Sequence, residues 1–134
     1  MLFRSHEEYK AITEAGLVVH IDSPDLADSW QIYPDMSLSD YRRYSDLRIA
    51  ALNRALEGVP AEQVIVHMCW GSFHNPHTSD LALTEIVDFL FRVNAQAVSI
   101  EASNARHEHE WTVFEKFKLP PGRILIPEIG RAHV

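Results

Sequence analysis

A single cysteine, Cys69, stands among the 134 residues. It excludes an intramolecular disulfide and suits a reducing cytoplasm, the compartment expected here. Cationic residues are also scarce: 12 Lys and Arg against 19 Asp and Glu leave a formal net charge of −7. No basic patch is available to neutralise phosphates, so a nucleic-acid partner is not expected. Long apolar runs are missing. Asp88 and Arg92 break the longest of them, well short of the roughly 20 apolar residues that a membrane helix needs. The first residues, Met1-Leu2-Phe3-Arg4-Ser5-His6-Glu7-Glu8, turn polar at once, so neither a signal peptide nor a membrane partner is expected. There are only five glycines. No glycine-rich phosphate fingerprint follows a strand-like run, which weakens a nucleotide-binding reading.

What the chain does have is a globular composition, 46% hydrophobic, and a length sufficient for one domain with a real core. The order of elements is regular. Residues 7–15 read as a helix closed by Gly16, and 17–21 as a strand ending at Asp22. A loop rich in Ser, Asp and Pro covers 23–37. Residues 39–56 read as a long helix, with Leu47, Ala51 and Leu52 near helical spacing and Gly58 just past its end. Residues 63–68 form the second strand, and 69–80 a loop. Residues 83–93 read as a helix with Ile86, Val87, Leu90 and Phe91 on its apolar face. Residues 97–100 are a third strand, 107–116 a short helix, and 123–126 a fourth strand. Short, β-branched, almost continuously apolar strands alternating with helices are the pattern of parallel βα units. Four strands cannot close an eight-stranded barrel, which takes roughly 250 residues. The fold class expected is therefore α/β: a partial (β/α)8 barrel of about four consecutive units.

The chemistry concentrates where strands end. His67-Met68-Cys69 closes the run Val64-Ile65-Val66, and Glu101 closes Ala97-Val98-Ser99-Ile100. Residues i and i+2 of a strand share a face, so His67 and Cys69 aim at one point. If the next run is the neighbouring parallel strand, roughly 5 Å away, Glu101 reaches the same point. Nitrogen, sulfur and oxygen donors at strand tips suit zinc, and three protein ligands leave a position open for a substrate. Plainer readings stand beside this one. A free Cys at a strand end is commonly just buried. Asp22 is also a natural loop-capping residue. His74 and His77 in the loop around Asn75-Pro76 read as solvated. The run from Arg106 to Glu110 opens a helix that Asn104 caps, with acids suited to the helix dipole; its place after Glu101 also suits a supporting role at the metal.

Four segments carry a resemblance. Val66-His-Met-Cys-Trp-Gly71 is followed by Pro76-His77-Thr78 with Asp80, then Ser99-Ile-Glu-Ala-Ser-Asn104, then Arg106-His-Glu-His-Glu-Trp111. In that order they resemble the catalytic domain of the cobalamin-independent methionine synthase family. They look closest to its shorter methionine-synthase-like or epoxyalkane:coenzyme M transferase-like members. Ile21-Asp22-Ser23-Pro24-Asp25-Leu26 resembles the family segment whose Asp contacts the amino group of homocysteine. The resemblance covers most of 17–127. It implies a zinc-dependent transfer of a methyl group, from a folate-like donor, to a thiol, with homocysteine the first candidate and methionine the product. Coenzyme M or another small thiol is the alternative. By the same resemblance His67, Cys69 and Glu101 match three of the family's four zinc ligands, and Asp22 the substrate-binding Asp. The fourth ligand, a Cys in a later strand-end segment, has no counterpart in these 134 residues. Nor has the later His tied to proton transfer, so no catalytic residue is assigned.

After Ile126-Pro127 the family pattern goes on with Gly, whereas this chain reads Glu128-Ile-Gly-Arg-Ala-His-Val134. One reverse translation of that stretch matches the start of a sequencing adapter. The expected organisation is thus a partial catalytic domain over 1–127 and a non-native tail over 128–134. A half barrel leaves sheet edges open to self-association. Such a fragment is expected to be inactive and to bind zinc weakly, while its parent is an enzyme.

Overall fold

The computed structural model describes residues 2–71, 78–103 and 106–128, with side chains from Arg4 onward. Four strands, β1 (Val19–Asp22), β2 (Val64–Met68), β3 (Ala97–Glu101) and β4 (Ile124–Glu128), form one sheet in chain order. Every neighbouring pair is parallel. Helices fill the connections: α1 (Leu2–Glu14) precedes β1, α2 (Ser29–Ile32) and α3 (Leu38–Ala55) link β1 to β2, α4 (Val87–Leu90) links β2 to β3, and α5 (Val113–Lys116) links β3 to β4. This is the α/β arrangement of four consecutive βα units, as in part of a (β/α)8 barrel. Among the described residues no helix is long and apolar enough to cross a membrane.

Alternation along the strands sorts their side chains. Val19, Ile21, Val64, Val66, Met68, Val98 and Ile100 are buried in the core. They share that core with Leu26, Tyr41, Ile49, Leu56, Ile86, Phe89 and Leu90 from the connecting segments. The opposite face carries His20 and Asp22, both exposed, then half-buried Ile65 and His67, then buried Ser99. The register aligns Asp22 with His67 and His67 with Ser99, and places Glu101 beside Glu128. Polar side chains of the sheet therefore collect at its carboxyl end.

Local chemistry fixes the element ends. Gly16, at φ +78°, closes α1 in a left-handed conformation that glycine adopts without penalty. The amide of Leu17 then donates to the Ile12 carbonyl, so β1 begins at Val19 rather than at 17. The Ser37 hydroxyl accepts from the Asp40 amide at 3.1 Å and caps α3. Ser37→Ala should cost about 1 kcal/mol, read as a lower urea midpoint with unchanged slope.

Four expectations need correction. Leu47 is 72% exposed; α3 instead buries Tyr41, Ser45, Ile49 and Ala55, a stripe that Leu47 misses. The helix expected over 83–93 is a 3-10 turn, Leu83–Glu85, followed by one α-helical turn, Val87–Leu90. Thr84, Ile86 and Val87 are β-branched and stiff in a helix, and Ile86 sits at φ −129°, outside helical geometry. The helix expected over 107–116 is likewise split, into a 3-10 segment Glu108–Thr112 and α5. The loop after β1 also holds structure, a 3-10 turn Pro24–Leu26 and α2.

Candidate metal centre

Donor atoms of Asp22, His67 and Cys69 all lie within 4.8 Å of one another. Adjacent parallel strands bring Asp22 beside His67, and the i, i+2 relation carries Cys69 to the same side. The His67 ring is held from the other direction. Its Nδ1 is 3.1 Å from Glu128 Oε1 and 3.4 Å from Ser99 Oγ, and Ser99 itself donates to Glu128 at 2.7 Å. His20 meets the ring edge-on, with centroids 6.1 Å apart.

Glu101 does not join that three-residue group. It ends β3 next to Glu128, close enough for its charge to act on Cys69. Burial pushes the Cys69 thiol above its ordinary pKa; the Gly71 backbone opposes this, while Asp22, Glu101 and Asp28 reinforce it. An imidazole, a thiol and a carboxylate set in a field of negative charge fit a divalent cation. The mixed donors suit zinc rather than calcium or magnesium, which favour oxygen alone. Asp22 also lines a cavity of about 240 Å³ between α1, β1 and α3, together with Tyr9, Asp25 and Arg48. Burial raises the Asp25 pKa against the pull of Arg48, whose guanidinium lies 3.7 Å away.

Immediately after Cys69 comes a tightly held residue. Trp70 is fully buried. Its carbonyl accepts from the Gln31 side chain at 3.0 Å, and its indole N–H donates to the Leu81 carbonyl at 2.7 Å. The His107 ring stacks on the indole, with centroids 3.7 Å apart. His107 meets Glu110 and Asp80 through opposite ring nitrogens, each at 2.8 Å. The other oxygen of Glu110 accepts from the Leu83 amide. Of these, only the run from Arg106 to Glu110 signals a supporting role in the sequence. Asp80 lies 27 residues earlier, and Glu128 and Ser99 reach His67 only through the strand register. Asn104, His74 and His77 lie outside the described residues.

Burial works against charging His107, but hydrogen bonds to Glu110 and Asp80, and their charges, outweigh it and raise its pKa. A histidine whose folded pKa is raised stabilises the fold most below its unfolded value of about 6.5, and that stabilisation is lost as pH rises through the folded value. Urea midpoints should therefore fall as pH rises above about 6.5, and His107→Gln should flatten that fall. Equal slopes for the two proteins would show that His107 stays neutral.

No family model matches the chain. Curated relatives do, among them three that are each a 5-methyltetrahydropteroyltriglutamate–homocysteine methyltransferase. The protein from Thermotoga maritima is 31% identical over 114 residues, covering 84% of this chain and 14% of the relative. The Thermotoga petrophila protein is 30% identical over the same shares. The Nitratidesulfovibrio vulgaris protein is 29% identical over 104 residues, 76% of this chain and 12% of the relative. The chain thus spans about a seventh of the length of the curated relatives it matches. With its parallel βα units and the ordered strand-end motifs, this chain belongs to the cobalamin-independent methionine synthase family.

Proposed function

We propose that this chain carries the metal-binding and thiol-orienting part of a zinc-dependent methyltransferase of the cytoplasm. In this reading His67, Cys69 and Glu101 are the protein's zinc ligands. Asp22 holds the ammonium of homocysteine, and a folate-like molecule donates the methyl group. The observation that supports it best is the meeting of Asp22, His67 and Cys69 at adjacent strand ends. Zinc, when bound, lowers the pKa of a coordinated thiol so that a thiolate is available near neutral pH. The chain's residues supply the rest. Ser99 orients the His67 ring. Asp22 sets the substrate's amine end beside its sulfur. Holding the thiol at a fixed point turns an encounter into a positioned attack on the methyl carbon. In that attack the new S–C bond forms as the bond from the methyl to the donor nitrogen breaks; that nitrogen keeps the bonding pair and takes up a proton from solvent, which balances the one the thiol gives up.

The test is thiol binding to the zinc-loaded chain by calorimetry. Homocysteine should bind only with zinc present. Because Asp22 is exposed, Asp22→Asn should weaken homocysteine by about 5- to 10-fold, a loss of about 1 kcal/mol. It should leave coenzyme M, which has no ammonium, unaffected. Zinc-independent thiol binding would refute the proposal, and equal binding of homocysteine to both proteins would favour a thiol without an amine.

The same geometry favours a second reading, in which the Asp22 carboxylate is itself a ligand. Asp22, not Glu101, completes the observed group. Zinc affinity separates the two. The first reading predicts that Glu101→Gln weakens zinc while Asp22→Asn does not, and the second predicts the reverse.

A further inference from the structure

A buried imidazole held by two carboxylates is an unusual expense for a fold unless its position matters, since each charged group must be desolvated. Here the three partners lie on two different strand connections. Asp80 precedes the 3-10 turn Leu83–Glu85 in the β2–β3 connection, and His107 and Glu110 belong to the β3–β4 connection. The ring they hold is aligned within 11° of the Trp70 indole plane. The indole is fixed at its edge by the Leu81 carbonyl, and the Trp70 backbone by Gln31 of α2. Trp70 is therefore restrained on its face, its edge and its main chain, by segments from all three strand connections. The residue bonded to it is Cys69, whose sulfur meets His67 and Asp22.

We propose that His107 is a positioning residue of the metal centre: clamped between Asp80 and Glu110, it holds Trp70 by stacking and so fixes the strand end that presents Cys69. This rests on the metal reading above. His107 touches neither metal nor substrate in this role. It limits how far the main chain at residues 69 and 70 can shift, and with it the direction of the sulfur. Partners behind a metal ligand commonly change affinity by about 10- to 100-fold when removed.

Cobalt(II) tests this on the intact chain, because its absorption reports both thiolate bonding and ligand geometry. Wild-type chain should develop a thiolate-to-cobalt charge-transfer band. His107→Gln, folded by circular dichroism, should bind cobalt about 10- to 100-fold more weakly, with a shifted ligand-field spectrum. Leu56→Ala serves as the stability control. Leu56 is buried in the core and takes no part in the hydrogen bonds or ring stack that hold Trp70, so this change costs stability while leaving those contacts in place, and its cobalt spectrum should match wild type. If His107→Gln does not fold, Asp80→Asn takes its place, loosening one side of the ring while keeping volume and an acceptor, with the same spectral shift expected. A folded variant with wild-type cobalt affinity and spectrum overturns the proposal. So does an equal spectral shift in Leu56→Ala, which would make the effect one of general stability. Absence of the charge-transfer band in wild type refutes the metal reading itself, and this inference with it.

Discussion

Trp70→Ala should lose about 3–5 kcal/mol of stability, the range for truncating a large buried aromatic. Trp70 heads the fully buried side chains, so its removal leaves a large cavity in the core. The change also strips a partner from the Leu81 carbonyl, and a buried acceptor left unpaired costs about 1–3 kcal/mol. His107 loses the ring that covers one of its faces. Against a total stability of about 5–15 kcal/mol for a typical domain, such a loss brings the chain close to unfolding. Trp70→Phe keeps a flat ring for His107 and gives up only the indole N–H and part of the volume, so its loss should be clearly smaller. Urea denaturation followed by circular dichroism measures both. Equal losses for the two variants would show that the stack with His107 contributes little.

The second large effect is on the metal. Cys69→Ser should cut zinc affinity by at least about 100-fold, beyond the 10- to 100-fold typical of partners behind a ligand, while stability stays close to wild type. Cys69 is only half-buried, and Ser is nearly isosteric with it, so the core outside the site is left intact. What changes is the donor: a neutral hydroxyl replaces the one sulfur able to become a thiolate. Among the described residues Cys69 is the sole cysteine, so no other thiol substitutes. Competition with a coloured zinc chelator gives the affinity. A loss under about threefold would place zinc elsewhere on the chain, since removing a true ligand costs more than removing an outer partner.

Much of this architecture is legible in the sequence because the strands are written in β-branched runs. Val64-Ile65-Val66 and Ala97-Val98-Ser99-Ile100 announce buried parallel strands, and the sheet holds them as neighbours. The i, i+2 placement of His67 and Cys69 needs only strand geometry. The helices were less legible. Ile86, Val87, Leu90 and Phe91 have helical spacing, but Ile86 leaves helical geometry and only a single turn follows it. Leu47 looks like a core residue and faces solvent, since apolar spacing alone does not choose between stripes of one long helix. At the site, the missing information is register. It sets Glu128 and Ser99 against His67 and brings Asp22 into the donor group, while Glu101 stands beside Glu128. Asp80 pairs with His107 across two connections, a contact that no local pattern announces.

Cys69 and His67 are proposed to present sulfur and nitrogen together to a zinc ion at the carboxyl end of this sheet. X-ray absorption at the zinc edge, on the zinc-loaded chain, addresses this directly. The zinc-loaded wild type should show one sulfur at about 2.3 Å and lighter nitrogen or oxygen donors at about 2.0–2.2 Å, with the sulfur lost in Cys69→Ser and one nitrogen lost in His67→Ala. A shell of nitrogen and oxygen alone, or a wild-type spectrum that survives Cys69→Ser, would contradict it.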